Sequence, residues 1–383
     1  MNNNDFNIID FGSSKIRFSV FDNELSKVHS ESKSIEFENN FDDYFDEIKL
    51  IIKKAEKKIS NHIEDLILSL DLKDLLTIDI SLKKNLDGKS NIKKIYNFFI
   101  LELEQIVDTF HDRYQIIHTI FNKCIINNKV YYEIPEHIEL IDNIKVDFKL
   151  ICFPRIFLKR IINFFNKNNI NVSNIFCTSY IKSKYYLPKL GKKNISFLEI
   201  GYKKTIFICY KENKLKFIQI IPIGGFHITS DISKIFNVTF DEAEKIKMSF
   251  YETESEFSYK KENNNSLVVQ EILSKNISIN DLKSVILYRV QEIIDLNFKK
   301  KNLNNNEINL NDSELFLIGN GSLLFKNNSF HLSDKFEFKS LNFYDETDGQ
   351  ICKSSLVYYL NNYKILKKNT KKLGLFEKFF NYF

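Results

Sequence analysis

Apolar positions along the chain follow two periods, and together they predict alternating strands and helices. Near the N-terminus, apolar segments at 7–9 and 16–21 flank a small polar turn, which predicts a β-hairpin. Apolar residues then recur at helical spacing over 42–59, and a short apolar strand follows at 66–70. Strands that alternate with helices favour an α/β fold.

The same alternation continues through the rest of the chain. The pattern predicts helices at 90–110, 156–165 and 284–299, strands around 115–119, 130–132 and 149–153, and a second strand series at 195–201, 205–210 and 215–223. Gly224 and Gly225 then open a helix. Thr239 and Glu242 form a capping box that begins the next helix.

The length of the chain points to more than one packed unit. It has 383 residues, of which 43% are hydrophobic and only 10 are glycine, so collagen-like and wholly disordered classes are excluded. Two strand–turn–strand openings, at Asp10 and Glu199, indicate two duplicated halves.

Charge and motif content narrow the possible partners. The net charge of +5 is spread among 50 acidic residues without a long basic block, so we expect no nucleic-acid partner. The seven histidines form no zinc motif, and the five cysteines form no C-x-x-C pair, so we expect the thiols to be reduced and in the core. No apolar run is long enough to span a membrane and residues 1–5 lack a signal peptide, which predicts a cytosolic chain.

The polar turn at 10–15 has the chemistry of a phosphate-binding loop. Asp10 ends a strand and offers a carboxylate for Mg²⁺, directly or through water. Gly12, Ser13, Ser14 and Lys15 follow, and backbone N–H groups and hydroxyls of such a turn reach phosphate oxygens. Short turns of this kind also occur by chance, so this one alone identifies no function.

Further segments, in order along the chain, carry a family resemblance. They are D-F-G-S-S-K at 10–15, P-I-G-G-F-H-I-T-S-D-I at 222–232, A-E-K-I-K at 243–247 and I-G-N-G-S at 318–322. This series resembles the actin-like ATPase superfamily and, more closely, the bacterial cell-division family FtsA. The segments 288–294 and 116–135 resemble the family's helix before the adenosine loop and its inserted subdomain, so the resemblance covers nearly the whole chain.

The resemblance implies an α/β actin-like fold of two related halves with a nucleotide cleft. Its parts would be subdomain 1A at 1–80 and 154–190, an FtsA-type inserted subdomain 1C at 81–153, subdomain 2A at 191–238 and 313–358, subdomain 2B at 239–312, and a linker with an amphipathic membrane-targeting helix at 359–383. The implied cofactors are ATP and Mg²⁺, with Asp10 as the metal residue. The residues expected at the nucleotide are Asp10, Gly12, Ser13, Ser14, Lys15, Glu199, Gly201, Thr205, Gly224, Gly225, Glu244, Lys247, Gly319, Asn320 and Gly321.

Two loops depart from the family pattern. Where the family has D-I-G-G-G-T-T-D, this chain has E-I-G-Y-K-K-T-I at 199–206. Tyr202 and Lys203 add bulk where glycines permit a close approach to phosphate, so we expect ATP binding with weak or absent hydrolysis. Lys203 and Lys204 would instead supply positively charged ammonium groups that attract phosphates. In the adenosine loop Asn320 replaces the central glycine, and asparagine tolerates a left-handed backbone.

Three charged residues have alternative interpretations. Glu244 and Lys247 lie one helical turn apart, and they either contact ribose and adenine or form an ordinary solvated ion pair. Arg289 is the residue expected to pair with a carboxylate of the FtsZ C-terminal peptide, or else it braces its own helix.

The last residues of the chain form an amphipathic pattern. Apolar residues occupy one half of a helical wheel, and lysines and other polar residues occupy the opposite half. The apolar positions are Leu373, Leu375, Phe376, Phe379, Phe380 and Phe383. We expect this helix to bind an anionic membrane surface, and the alternative is that it docks on the protein's own core.

The family resemblance implies a division protein. Such a protein would bind ATP, assemble into filaments with copies of itself and tether the tubulin-like FtsZ ring to the cytoplasmic face of the membrane at the division site. Other division proteins would bind its inserted subdomain. The alternatives are a scaffold of the pilus-assembly type and a small-molecule kinase of the same superfamily, which would need an intact second phosphate loop.

Overall fold

The computed structural model of the chain divides into two compact units, and each contains a five-stranded sheet. It describes residues 5–35, 44–72, 74–88, 92–135, 138, 140–257, 277–298, 310–325 and 338–364. The first unit takes its described residues from Met1–Gly191 and Thr347–Phe383, and the second from Lys192–Glu346. The predicted membrane-binding residues of 371–383 lie outside the described residues.

The first unit contains a five-stranded mixed sheet. Its strands are β1 (Phe6–Phe11), β2 (Lys15–Phe21), β3 (Lys27–Ser34), β4 (Asp65–Leu70) and β9 (Asn171–Cys177), and its helices are α1 (Tyr44–Ile59), α3 (Arg155–Lys167), α4 (Thr178–Leu190) and α8 (Asp348–Tyr359). The strand order is β3-β2-β1-β4-β9. β1 and β2 form the predicted hairpin, with Asp10 opposite Arg17, and β1 runs parallel to β4.

A second sheet of this unit forms a layer of its own. Its elements are β5 (Leu76–Gly88), α2 (Ile92–Phe110), β6 (Tyr114–Ile126), β7 (Lys129–Tyr131) and β8 (Ile141–Pro154). The strands pair antiparallel in the order β5-β8-β6-β7. Phe99 and Leu103 of α2 pack with Phe148 of β8 in a separate buried cluster. The segment expected as the inserted subdomain, 81–153, falls within this layer.

The second unit repeats the mixed sheet of the first. Its strands are β10 (Ile195–Ile200), β11 (Thr205–Lys211), β12 (Lys214–Ile221), β13 (Glu314–Ile318) and β14 (Ser340–Phe343), and its helices are α5 (Gly225–Phe236), α6 (Phe240–Phe257) and α7 (Ile279–Phe298). The order is β12-β11-β10-β13-β14, with β10 antiparallel to β11 and parallel to β13. Order and strand directions match those of the first unit, which confirms the duplication predicted from the two openings.

Local chemistry sets the helix ends in the second unit. The predicted capping box before α6 is confirmed, because Thr239 N–H donates to Glu242 at 2.9 Å and Glu242 N–H donates to Thr239 Oγ1 at 3.3 Å. Helix α7 begins five residues before the predicted 284. The reason is that the Leu282 N–H already donates a helical hydrogen bond to the Ser278 carbonyl, 2.9 Å away.

The described residues also show where the cysteines lie and whether a helix is long enough to cross a membrane. All five cysteines are buried and free, as predicted, and burial raises the pKa of Cys152 and of Cys352 to about 12. Within the described ranges, no helix is both long and apolar enough to cross a membrane.

Candidate functional site

The turn between β1 and β2 is tight and closely covered. Gly12 N–H donates to the Lys15 carbonyl at 3.0 Å, which closes the turn. A Cβ on Gly12 would lie 2.9 Å from Arg17 Nη1 and 3.0 Å from the Lys15 carbonyl oxygen. Ser13 and Ser14 are half-buried. Glycine at position 12 therefore leaves room for the guanidinium that packs against the turn.

Asp10 is enclosed by hydrogen-bond donors. Its side chain is 1% exposed. Oδ2 accepts from Arg17 Nη1 at 2.9 Å, and Oδ1 accepts from Thr178 Oγ1 at 2.7 Å and from Ser69 Oγ at 3.2 Å. Ser69 lies near the end of β4 and Thr178 begins α4, so the ends of neighbouring parallel strands bring these donors to the carboxylate. Both oxygens of Asp10 are thereby in use within the unit.

Arg17 connects Asp10 to the start of helix α8. Its Nε donates to Asp348 Oδ1 at 2.6 Å, and Lys15 Nζ donates to Asp348 Oδ2 at 2.6 Å. Burial alone lowers the pKa of Arg17, but the charge of Asp10 and the Asp348 hydrogen bond raise it above its usual value. Burial likewise opposes ionisation of Asp348, yet the hydrogen bonds from Lys15 and Arg17 lower its pKa. The four side chains thus form one continuous network of ion pairs.

The contacts of Asp10 do not fit a directly bound Mg²⁺. This ion prefers an octahedral shell of oxygen ligands, whereas a guanidinium only donates and carries positive charge of its own. Arg17 lies 2.9 Å from one carboxylate oxygen, and the hydroxyls of Thr178 and Ser69 donate to the other. In the part of the chain that the structure describes, no three His, Cys, Asp or Glu side chains gather as a metal site. A direct contact between Asp10 and a metal ion therefore finds no support in its surroundings.

The second loop repeats the first turn but is closed by the helix that follows it. Gly201 N–H donates to the Lys204 carbonyl at 2.9 Å, as Gly12 does to Lys15. The first N–H groups of α5 return to this loop: Gly225 donates to the Gly201 carbonyl at 3.0 Å and Phe226 to the Tyr202 carbonyl at 2.7 Å. Free N–H groups at a helix start attract phosphate, and here loop carbonyls occupy two of them.

Side chains of the second loop fold onto the same helix start. The ring of Tyr202 lies 5.5 Å from that of Phe226, which in turn lies 5.1 Å from Phe240. Lys203 Nζ lies 5.1 Å from the centre of the Phe226 ring, and Lys204 is 5% exposed. The two lysines expected to attract phosphates are thus packed against the protein in this structure.

Two other expected ligands lie in the strands that flank this loop. Thr205 is fully buried, and its hydroxyl donates to the Ile223 carbonyl at 2.7 Å. Glu199 lies in β10, where it pairs with Ile206 of β11 and with Ile318 of β13. The Thr205 hydroxyl is therefore already bound within its own unit, while the structure fixes the place of Glu199 in the sheet.

Glu244 and Lys247 form a buried network with the first turn of α5. Lys247 is 4% exposed, and its Nζ donates to Glu244 Oε2 at 2.6 Å, to Thr229 Oγ1 at 2.8 Å and to the Gly225 carbonyl at 3.3 Å. Burial lowers the pKa of Lys247, and the charge of Glu244 opposes that shift. The solvated-pair interpretation is wrong for Lys247. The Glu244 side chain is 35% exposed and presents a carboxylate at the surface of this network.

The loop expected at adenosine packs on the end of β10. Gly319 has φ +81°, and a Cβ there would lie 2.8 Å from the Ile200 carbonyl oxygen. A Cβ on Gly321 would lie 2.4 Å from Ile200 Cγ2. Asn320 is exposed in a 3₁₀ turn and has no positive φ, so its tolerance of a left-handed backbone is not needed there. The retained Gly319 takes that conformation instead.

Arg289 braces α7 against α5. Its Nε donates to Asp231 Oδ2 at 2.7 Å and its Nη2 to Asp231 Oδ1 at 3.0 Å, while Nη1 pairs with Glu292. The Asp231 hydrogen bonds are the main cause that raises the pKa of Arg289. The planar fork expected to hold a peptide carboxylate is therefore occupied by a carboxylate of the same unit.

Sequence reasoning missed several residues of these networks. They are Arg17, Ser69, Thr178, Thr229, Asp231 and Asp348. Thr229 and Asp231 lie inside the quoted segment 222–232, and Arg17 faces Asp10 across a hairpin, so their proximity had a local signal. Asp348 lies 333 positions from Lys15, and no local pattern indicates that contact.

Comparison with known proteins connects the second unit to one family. Residues 197–349 match the family described as "Cell division protein FtsA". The chain resembles the FtsA family. It is 24% identical over 233 residues to the cell division protein FtsA of Buchnera aphidicola subsp. Acyrthosiphon pisum, covering 58% of this chain and 54% of that protein. It is 22% identical over 264 residues to FtsA of Staphylococcus epidermidis, covering 65% and 56%. The chain thus spans about half the length of the curated FtsA relatives that it matches.

The fold has a solved counterpart. The structure described as "PilM-PilN type IV pilus biogenesis complex" aligns with a TM-score of 0.60 and 13% identity, over 93% of this chain and 98% of that one. At this identity the likeness concerns the fold alone. The actin-like α/β fold expected from the FtsA resemblance is confirmed, and the repeated sheets are its two related halves.

Proposed function

We propose that this chain is an actin-like cell-division protein that binds ATP, assembles into filaments and links the FtsZ ring to the cytoplasmic face of the membrane at the division site. The observation that carries the proposal is the FtsA match over 197–349, which includes the Glu244 and Lys247 network and the Gly319 loop. Filament contacts, division partners at the inserted layer and membrane attachment come from the family resemblance.

Nucleotide binding is proposed chiefly for the second unit. Glu244 offers an acceptor at the surface, and Lys247 fixes its position from a buried site. A partly exposed carboxylate is suited to accept from ribose hydroxyls. Hydrolysis should be slow or absent, because the Gly225 and Phe226 N–H groups already donate to the second loop and Tyr202 and Lys203 stand where the family has glycines.

Calorimetry with a non-hydrolysable ATP analogue tests this proposal. Glu244→Gln should weaken binding about tenfold, since a lost charged hydrogen bond is worth roughly 1.5 kcal/mol or more. Lys245→Met is the matched control, because Lys245 lies one position along α6 and is exposed. A Glu244→Gln variant that binds as tightly as the wild type would refute the assignment, and rapid phosphate release would refute slow hydrolysis.

Membrane attachment is proposed for the amphipathic segment at 371–383. An array of short apolar helices on a filament would multiply the marginal membrane affinity of each copy. Sedimentation with anionic liposomes, with and without FtsZ of the same organism, is the test. The proposal fails if the full chain stays in the supernatant under both conditions while it is folded.

A nucleotide-free scaffold is the second candidate. Two observations favour it: Asp10 is saturated by donors of its own unit, and the start of α5 is capped by loop carbonyls. It predicts that neither ATP nor ADP binds at millimolar concentration. The same calorimetry therefore separates the two candidates.

A further inference from the structure

The residue pair Asp10 and Arg17 has a geometry that the proposed function does not use. The two residues lie directly opposite each other in the β1–β2 hairpin, so the strand register itself holds the cation beside the carboxylate. Arg17 is 15% exposed and Asp10 is 1% exposed, and they meet at 2.9 Å. Gly12 completes the arrangement, because a Cβ there would lie 2.9 Å from the guanidinium.

The charges around this pair balance without an added ion. Asp10 and Asp348 supply two negative charges, and Arg17 and Lys15 supply two positive charges, all within a chain of contacts of 2.6 to 2.9 Å. A divalent cation would add two positive charges to a neutral cluster, and it would have to displace the guanidinium from Asp10 Oδ2. The cost of separating a buried carboxylate from its partner is several kcal/mol.

We infer that Arg17 is a built-in cation that takes the place of a divalent metal at Asp10, so that this carboxylate binds no metal and any nucleotide binding proceeds without one there. The inference rests on the proposed function only for its nucleotide part. The metal part concerns the protein alone.

Binding of Mn²⁺ to the full-length protein without nucleotide, followed by electron paramagnetic resonance, tests the metal part. Wild type and Asp10→Asn should bind the same number of Mn²⁺ ions. Arg17→Met, which removes the charge and keeps an apolar stem, should gain one site, and adding Asp10→Asn to it should remove that site. Arg17→Lys should behave as the wild type, because it keeps the charge.

The wild-type comparison alone can overturn the inference. A Mn²⁺ site present in wild type and absent in Asp10→Asn would show that the carboxylate binds metal beside Arg17. That pair of proteins decides the question even where Arg17→Met fails to fold.

Nucleotide affinity supplies an independent readout. The ratio of dissociation constants for a non-hydrolysable ATP analogue, measured in Mg²⁺ and in EDTA, should agree between wild type and Asp10→Asn within about threefold. A Mg²⁺ effect of about tenfold or more in wild type that disappears in Asp10→Asn would overturn the inference. Absence of nucleotide binding in both buffers would refute the proposed function, and the Mn²⁺ experiment would then decide the inference by itself.

Discussion

Replacement of Gly224 by alanine should break the contact between the second loop and α5. Gly224 precedes α5 and has an extended backbone, with φ −158°, so the conformation itself does not require glycine. The space does. A Cβ would lie 2.4 Å from the Gly201 carbonyl oxygen, 2.7 Å from the Tyr202 carbonyl oxygen and 2.8 Å from the Lys204 nitrogen. All three atoms are backbone, so no side chain can rotate away.

The expected loss of stability depends on which groups the new methyl group displaces. Forcing a methyl group into a packed site costs about 1–3 kcal/mol. The loop must also shift relative to α5, which weakens the hydrogen bonds that Gly225 and Phe226 donate to it, at roughly 1 kcal/mol each. We therefore expect Gly224→Ala to destabilise the second unit by about 3 kcal/mol or more.

Gly349→Ala is the matched control. Gly349 lies in the first turn of α8, where the nearest atom to a new Cβ is Lys27 Nζ at 3.4 Å, the free end of a flexible side chain. Alanine forms helix better than glycine by up to about 1 kcal/mol. The same substitution should therefore be neutral or slightly stabilising there.

Amide hydrogen exchange read by mass spectrometry reports each unit separately. Gly224→Ala should speed exchange in β10, β11 and α5 and leave β1, β2 and β4 unchanged, while Gly349→Ala should speed exchange in none of them. If Gly224→Ala leaves the protection of β10 and α5 at the wild-type level, the tight loop–helix contact described above is refuted.

Three other predictions concern separate parts of the chain. Arg289→Ala and Asp231→Asn should each destabilise the second unit by about 1–2 kcal/mol, and the double variant should cost less than their sum in a denaturant double-mutant cycle; additive costs would contradict the brace. Replacing both Phe376 and Phe380 by Glu should abolish liposome sedimentation without changing thermal unfolding, and a lost unfolding transition would assign the helix to the core. Burial lowers the pKa of His118 to about 3, so the folded state resists a proton that the unfolded state accepts below about 6.5. Stability should therefore fall by on the order of 2 kcal/mol from pH 7 to pH 5, and His118→Gln, which keeps an acceptor for the Cys177 N–H, should reduce that fall; an equal fall in both proteins would refute it.

The sequence by itself determined the local elements of this protein. The hairpin around Gly12, the capping box of Thr239 and the paired openings of the two halves all depend on residues within a few positions of one another. Periodicity and side-chain-to-backbone hydrogen bonds act over that range, so they can be recognised in one dimension. The resemblance to FtsA rests on such short segments, and for that reason it could be recognised before the fold.

The tertiary structure decided what the charged residues of those segments do. From the sequence alone, Asp10 is expected to be a metal ligand and Lys247 either a solvated residue or one that contacts nucleotide. Arg289 is expected to bind a peptide carboxylate or to brace its own helix. In the fold, Asp10 meets Thr178 from 168 positions away, Lys247 is buried against α5, and Arg289 holds Asp231. The order of parallel strands and the packing of helices bring those partners together.

The physical reason is that an ionisable side chain takes its role from its neighbours. A carboxylate that faces water can bind a cation, whereas the same carboxylate between an arginine and two hydroxyls is already paired with a cation and saturated with hydrogen bonds. The two hydroxyls come from elements far from Asp10 in the chain, and the sheet order and the burial of apolar faces bring them to the carboxylate. Local sequence carries no record of those two contacts, so only the tertiary structure shows that Ser69 and Thr178 bind Asp10.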